Sequence, residues 1–416
     1  MKKIIFASLL VLIINTVAQA TTYYVLGGAS GNGTSWSSAY SDVSRISTIS
    51  AGDTIWIGAG TYTGGFYVNV PNVSIMRATA ANHGTSTGWS NAYDGQVTFN
   101  PSCGTTFLSM DSGSSSGFLI DGVMVGSTWK LVVNGIRGSL GGNYHDEGSS
   151  GSTIRGIEFN GNADTSCANA EDGLRIMGGT GNIYEHLYIH DFQQNGSVHN
   201  DGVQAPNGTN MTWRYNIFKN NGQHLFLGDC TWNSSYYVTG LNVYYNVFYN
   251  DALGELSYDT LVFKGVKGTI HIDNNTFAVH TSQATANGGV GPRIVLLDDQ
   301  CNTLGSNFYF RNNILYDSAI GDATSGNHSN NLYYGGQTGT ASTETGMVKS
   351  DPLFTNYSGG VYTLQAGSPA ASAGINSGYT QDIFGTAVSS SPSIGAYQYG
   401  SGGTPGVRTP SSPTLQ

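Results

Sequence analysis

The stretch Glu185–Asn216, EHLYIHDFQQNGSVHNDGVQAPNGTNMTWRYN, gathers three of the chain's nine histidines (His186, His190, His199) among Asp191, Asp201 and Gln204. It also carries a register that recurs on both sides. Gly156 in STIRGIEFNGN, His186 in IYEHLYIHDF, Asn216 in TWRYNIFKNN and Asn246 in VYYNVFYN follow one another at intervals of 30 residues. Asn275 in HIDNNTFAV comes about one period later, and Asn313 in YFRNNILYD after a longer insertion. A fixed period of this size, built from short strands, is the signature of a solenoid.

The residues of one period say which solenoid. Two or three short runs of alternating β-branched and aromatic residues are separated by Gly, Asn, Ser and Asp clusters, which read as strands and turns. No period holds an apolar 3.6-residue pattern long enough for a helix. Coils of a parallel β-helix bury one row of side chains and expose the alternate row. The amide that follows Tyr215, Tyr245 and Asn274 would then stack Asn on Asn at a strand spacing of roughly 4.8 Å, satisfying turn backbone groups otherwise buried unpaired. The expected fold is all-β, a right-handed parallel β-helix with an N-terminal cap.

Residues 1–20, MKKIIFASLLVLIINTVAQA, read as a secretory signal peptide: two lysines, an apolar run too short to span a membrane, and a small-residue site at Ala18-Gln19-Ala20. The expected product is secreted and extracellular. The formal charge is −10, and loss of Lys2 and Lys3 takes it to about −12, which argues against nucleic acid or an anionic membrane as partner. Charged residues make up only 10% of the chain while glycine numbers 59, a balance typical of exported repetitive β-structure. Residues 21–400 suffice for one β-helix domain, expected to be monomeric, and 401–416 read as a disordered linker or tail. Cys103, Cys167, Cys230 and Cys301 match no zinc spacing. They read equally as disulfide partners after export or as small buried hydrophobes.

Residues 21–80 contain a YYV strand, a Gly/Ser loop, a short helix near Ser41–Ile49, and GDTIWIGAGTYTGG as a first full coil. This opening, and the closing segments DPLFTNYSGGVYTLQAGSPAASAG, QDIFG and IGAYQY, resemble the secreted pectate-lyase-like β-helix superfamily. The resemblance is specific for fold and weak for activity. It implies a carbohydrate-active enzyme whose site lies in a groove on one face of the helix.

The strands after each turn align as EDGLRIMGG, HNDGVQAPNG, QHLFLGDC, DTLVFKGVKG and PRIVLLDDQ. If Leu174, Val203, Leu225, Leu261 and Ile294 point inward, Arg175, Gln204, Phe226, Val262 and Lys264 form an outward row, with Asp172, Asp201, His224 and Asp259 along its leading edge. Cleaving a uronate polymer by β-elimination requires a group that neutralises the sugar carboxylate and a base that removes the acidified proton. Arg175 is the candidate for the first task, Lys264 or His199 for the second, and Asp201 completes the catalytic set. Gln204, His224, Asp229 and His190 are candidates for substrate binding. Stacked carboxylates at Asp172 and Asp201 would invite Ca2+, although an Asp before Gly also simply makes a turn.

The competing enzyme class is a polygalacturonase-like hydrolase, which needs two suitably spaced carboxyl groups. NDGVQ and GQHLFLGD resemble two coils of that family, but its paired-Asp coil and RIK triplet are missing, and Asp298-Asp299 lies too far downstream. A non-catalytic glycan-binding or adhesin β-helix is the remaining alternative. The clustering of His, Arg and Lys near one face stands against it, and the missing hydrolase elements rank the hydrolase below a polysaccharide lyase.

Overall fold

The computed structural model describes residues 20–101, 106–110, 115–135, 144–161, 172–192, 201–250, 260–279, 295–297, 301, 305–317, 327–335 and 344–400. The signal-peptide reading, the tail at 401–416, Cys103, Cys167, His199 and Asp259 lie outside the described residues. Among the described residues, three parallel sheets run along the molecule, two of eleven strands and one of eight. From residue 54 to residue 297 each coil contributes one strand to each sheet, as in Gly208–Arg214, Ile217–Lys219 and Gln223–Leu227. This is the expected parallel β-helix. The first coil is Thr54–Ile57, Gly60–Tyr62 and Phe66–Val68, preceded by the edge strand Thr22–Val25. The short helix expected near Ser41–Ile49 is a single 3-10 turn, Val43–Arg45, capped by Asp42.

Alternation sends one row from each sheet into the interior. In the first sheet the aligned row includes Ile55, Ile75, Ile120, Ile154, Tyr184, Trp213, Val243, Ile272 and Phe310. In the second, Phe218, Phe248 and Phe277 stack face to face, with successive ring centroids 4.8 and 5.0 Å apart. The identical spacing of coils and of stacked rings explains why large flat side chains recur at one position per turn.

The turn from first to second sheet carries the periodic amide. Asn216, Asn246, Asn275, Asn313 and Asn331 form a fully buried column. Each amide oxygen from Asn246 onward accepts the backbone N–H and the side-chain amide of the residue one coil earlier, at 2.8–3.1 Å. Glu344 closes the column by accepting both donors of Asn331. The residue before each Asn turns the corner in the left-handed region: Tyr215 (φ 59°), Tyr245 (54°), Asn274 (54°), Asn312 (56°) and Asn330 (54°). That conformation costs an L-residue roughly 1–2 kcal/mol, and the ladder offsets it.

The register corrects one expectation. Glu185 pairs with Arg214, so the repeat there is 29 residues, and Leu187 rather than His186 aligns with Asn216. Gly156 (φ 69°) and His186 (φ 53°) belong to the neighbouring left-handed row. A shared preference for positive φ gave the two rows similar spacing.

Beside this turn, charges alternate in sign from coil to coil. Arg155 Nη2 lies 2.7 Å from Asp121, and Arg214 Nη2 lies 2.6 Å from Glu185. Burial works to raise the pKa of Glu185, yet Arg214, His186 and Arg155 together bring it below the usual range. These groups bind one another and so act as a cross-strand clamp. Residues 351–400 form a layer over the later coils of the second sheet. Tyr379 stacks on Tyr244 at 4.2 Å and donates to Asp273 at 2.9 Å, while the Ala396 N–H donates to Thr276. Among the described residues, no helix is long and apolar enough to cross a membrane.

Candidate functional site

The eight-stranded sheet presents the outward row inferred from alternation. Arg175 pairs in register with Gln204, Gln204 with Phe226, and Phe226 with Val262. The row also extends the other way: Tyr67 pairs with Ser109, Ser109 with His145, and His145 with Arg175. The flanking residues Tyr144, Leu174, Ile176, Val203 and Ala205 are fully buried, which fixes the direction of the side chains between them. Phe226 and Val262 are themselves buried, so the accessible part of the row runs from Tyr67 to Gln204, five positions over four coil steps, about 19 Å at strand spacing. That length suits a polymer lying along the helix axis.

One wall of this face is the turn after Leu227. The Lys264 N–H donates to the Leu227 carbonyl at 3.0 Å, and the Lys264 carbonyl accepts the Cys230 N–H at 3.2 Å. Cys230 is disulfide-bonded to Cys301, so the chain segments around Lys264 are tied together covalently. Asp229 accepts from the Thr231 hydroxyl and the Trp232 N–H, folding the tip of the loop. Trp232 is left 57% exposed, and the Arg175 guanidinium lies 5.6 Å from its ring centroid. The Lys264 ammonium lies 5.2 Å from the centroid of the Phe226 ring. Arg175 and Lys264 therefore share one face, but their backbones are three coils apart, about 14 Å. The two cations are placed to meet different sugars.

His145 was not anticipated from sequence. It stands one coil from Arg175 on the same row, with Nε2 2.5 Å from the Glu147 carboxylate. The sequence signal was present in the alternating YHDEG at Tyr144–Gly148, which lies upstream of the first strand in the alignment above.

Three expectations about position are corrected. His224 is fully buried and lies in the core. The N–H groups of His224 and Leu225 both donate to the Thr260 carbonyl at 3.1 Å, so a local bulge breaks the alternation. The ring packs against Phe218 and Phe248 with centroids 6.0 and 5.8 Å away, and burial pushes its pKa down to about 3. His190 lies on the second sheet, not over this groove. Asp172 and Asp201 do align on adjacent coils, but both are buried, and one oxygen of Asp172 accepts the Asp201 N–H at 2.9 Å.

Calcium takes six to eight oxygen ligands. Among the described residues, no group of three or more His, Cys, Asp or Glu side chains gathers to hold a metal. The Asp172–Asp201 pair supplies two buried carboxylates, one of which already accepts a backbone N–H of the next coil, and no step is assigned to an ion.

The buried neutral His224 has a measurable consequence. Its folded pKa lies below the ordinary histidine value, so its share of stability is complete above about pH 6.5 and is lost as pH falls toward 3. At pH 5 the unfolded chain has gained about 2 kcal/mol from protonating this side chain. Urea unfolding at pH 7 and pH 5 should therefore show a pH-dependent loss about 2 kcal/mol larger in the wild type than in His224→Phe. Equal losses would place His224 in contact with water.

No protein-family model matches the chain, and no curated protein matches it in sequence. Among solved structures it is similar to an alginate lyase from Paenibacillus sp. str. FPU-7, with a TM-score of 0.50 and 13% identity, covering 78% of this chain and 98% of that one. It is also similar to pectate lyase Pel9A, with a TM-score of 0.43 and 16% identity, covering 92% of this chain and 98% of that one. At such identities the likeness concerns fold alone. The chain has a parallel β-helix fold.

Proposed function

We propose that the chain is an exported, monomeric polysaccharide lyase that cleaves a uronate-containing polymer by β-elimination in the groove of the eight-stranded sheet. The observation that carries this reading is the in-register row His145–Arg175–Gln204, flanked by Trp232 and continued by Lys264. Arg175 and Gln204, one coil apart, would hold the carboxylate of a single sugar by paired donors. That withdraws charge from the neighbouring carbon and makes its proton removable. His145, one coil from Arg175, is the nearest described base, and Glu147 orients its ring. As His145 takes the C5 proton, the C–H electron pair forms the C4–C5 double bond, the C4–O bond breaks, and the departing oxygen takes a proton from solvent water. Lys264 grips the carboxylate of a sugar farther along the chain, and Asp229 shapes the loop that presents Trp232. The roles of His199, outside the described residues, and of buried Asp201 are tested by substitution alongside His145.

The direct test is a panel of uronate polymers, with alginate first because the similar solved structure is an alginate lyase. Absorbance of the unsaturated product is expected to rise. Shortening without that absorbance would replace the lyase with a polygalacturonase-like hydrolase, and binding without shortening would leave a glycan-binding β-helix. Chelator treatment should leave turnover intact, because the carboxylate is neutralised by Arg175 and Gln204. Loss of turnover that calcium restores, and that Asp201→Asn weakens, would bring the ion into the mechanism.

A further inference from the structure

The outward face of the second sheet carries a second polar row at coil spacing. Asn100, Asn134, Asn160, His190, Lys219 and Tyr249 follow one another in register. Their span of five coil steps is about 24 Å. It ends at the C-terminal layer, where Tyr362 meets Tyr249 at 5.3 Å.

Three features separate this row from the buried ladder. First, amides here bond to one another from coil to coil: Asn134 donates to Asn100 at 2.7 Å and Asn160 to Asn134 at 3.4 Å. Asn100 is exposed and Asn134 half-buried. An Asn side chain offers two donors and an acceptor oxygen with two lone pairs, so a chain of such amides retains capacity toward solvent. Second, aromatic rings adjoin the row. Tyr188 stacks on His190 at 4.0 Å and meets Trp129 at 5.0 Å, and Trp129 is pinned by donating to the His186 carbonyl at 2.7 Å. Third, the charges are mutually satisfied. His190 lies 2.7 Å from Asp191 and 3.2 Å from Glu158. Burial works to lower its pKa, but the two carboxylates outweigh this and raise it. Lys219 lies 5.9 Å from the centre of the Tyr249 ring.

We propose that this row is a second binding site, for an uncharged polysaccharide lying along the helix axis. The amides meet sugar hydroxyls, and the Trp129 ring, held in place by Tyr188, meets the apolar C–H face of a pyranose. Charge selects the ligand. A uronate carboxylate would find the described cations here, His190 and Lys219, already engaged by Asp191, Glu158 and the Tyr249 ring. An uncharged chain needs no such partner. The site is independent of the elimination reaction: it would hold the protein on a neutral matrix while the other groove works on the acidic polymer.

Affinity electrophoresis of the full chain through gels containing hydroxyethylcellulose or galactomannan tests this, with alginate gels in parallel. At least one uncharged polymer should retard the wild type, and Tyr188→Ala and Asn134→Ala should each weaken retardation at least fivefold. Asn134→Ala alters an outward side chain, so it keeps the test usable if Tyr188→Ala does not fold. Absence of retardation by both neutral polymers, or retardation untouched by both substitutions, overturns the proposal. Because the readout is binding on a different sheet, its failure leaves the lyase reading standing, and failure of the lyase reading leaves this one standing.

Discussion

Arg175→Ala is expected to lower turnover on an anionic polymer by about 10²–10³-fold, the usual effect of removing one group that stabilises charge developing in the transition state. The loss should fall mainly on kcat, because the negative charge on the carboxylate grows as the C5 proton leaves. Gln204 remains as a neutral donor and would keep some binding. Lys264→Ala should raise KM more than it lowers kcat, since its backbone is three coils from Arg175 and it addresses another sugar. His145→Ala should match or exceed the Arg175 loss. Circular dichroism must show each variant folded, which their outward positions lead us to expect. Wild-type rates in both Arg175→Ala and His145→Ala would put the reaction on another face.

Asn246→Ala is expected to cost about 3–5 kcal/mol in urea unfolding. The Asn246 oxygen accepts the Asn216 N–H at 2.9 Å, and its amide donates to the Trp213 carbonyl at 2.9 Å. Both Asn216 and Trp213 are fully buried, so water cannot replace the lost partner. Each orphaned group costs roughly 1–3 kcal/mol, and the interrupted column adds the lost coupling to Asn275. Asn100→Ala, at an exposed outward position, should change stability by no more than about 0.5 kcal/mol. Equal effects of the two substitutions would mean that the buried column is not what holds the turn.

The period was legible because the corner between the first two sheets makes two chemical demands at once. It needs a residue tolerant of positive φ, and then an amide that can satisfy backbone groups of two coils. Asn274-Asn275 and Asn312-Asn313 meet both demands, and they mark the repeat even across a 38-residue coil. The outward row Arg175, Gln204, Phe226, Val262 was legible for a different reason: period-2 alternation needs only one correctly placed inward residue per strand.

The errors share a physical origin. His224 left its expected face because one bulge inverts everything on its side of the strand, and a bulge in QHLFL has no compositional mark. His190 sits in a convincing polar cluster, but spacing along the chain does not tell which of three sheets receives a given strand. Asp172 and Asp201 were rightly placed on adjacent coils, yet whether they face solvent depends on turn geometry that the Asp-Gly pairs do not encode. His145 escaped notice because its strand, Tyr144–Asp146, is short and follows a glycine-rich stretch.

The central claim is that one carboxylate of an acidic polymer rests on Arg175 and Gln204 on the eight-stranded sheet. A crystal structure of His145→Ala soaked with a uronate oligosaccharide measures this directly. The account predicts the oligosaccharide along the axis beside Trp232, with one carboxylate within hydrogen-bond distance of both the Arg175 guanidinium and the Gln204 amide. An oligosaccharide ordered on another sheet, or lying in this groove with its carboxylates turned away from Arg175, would contradict it.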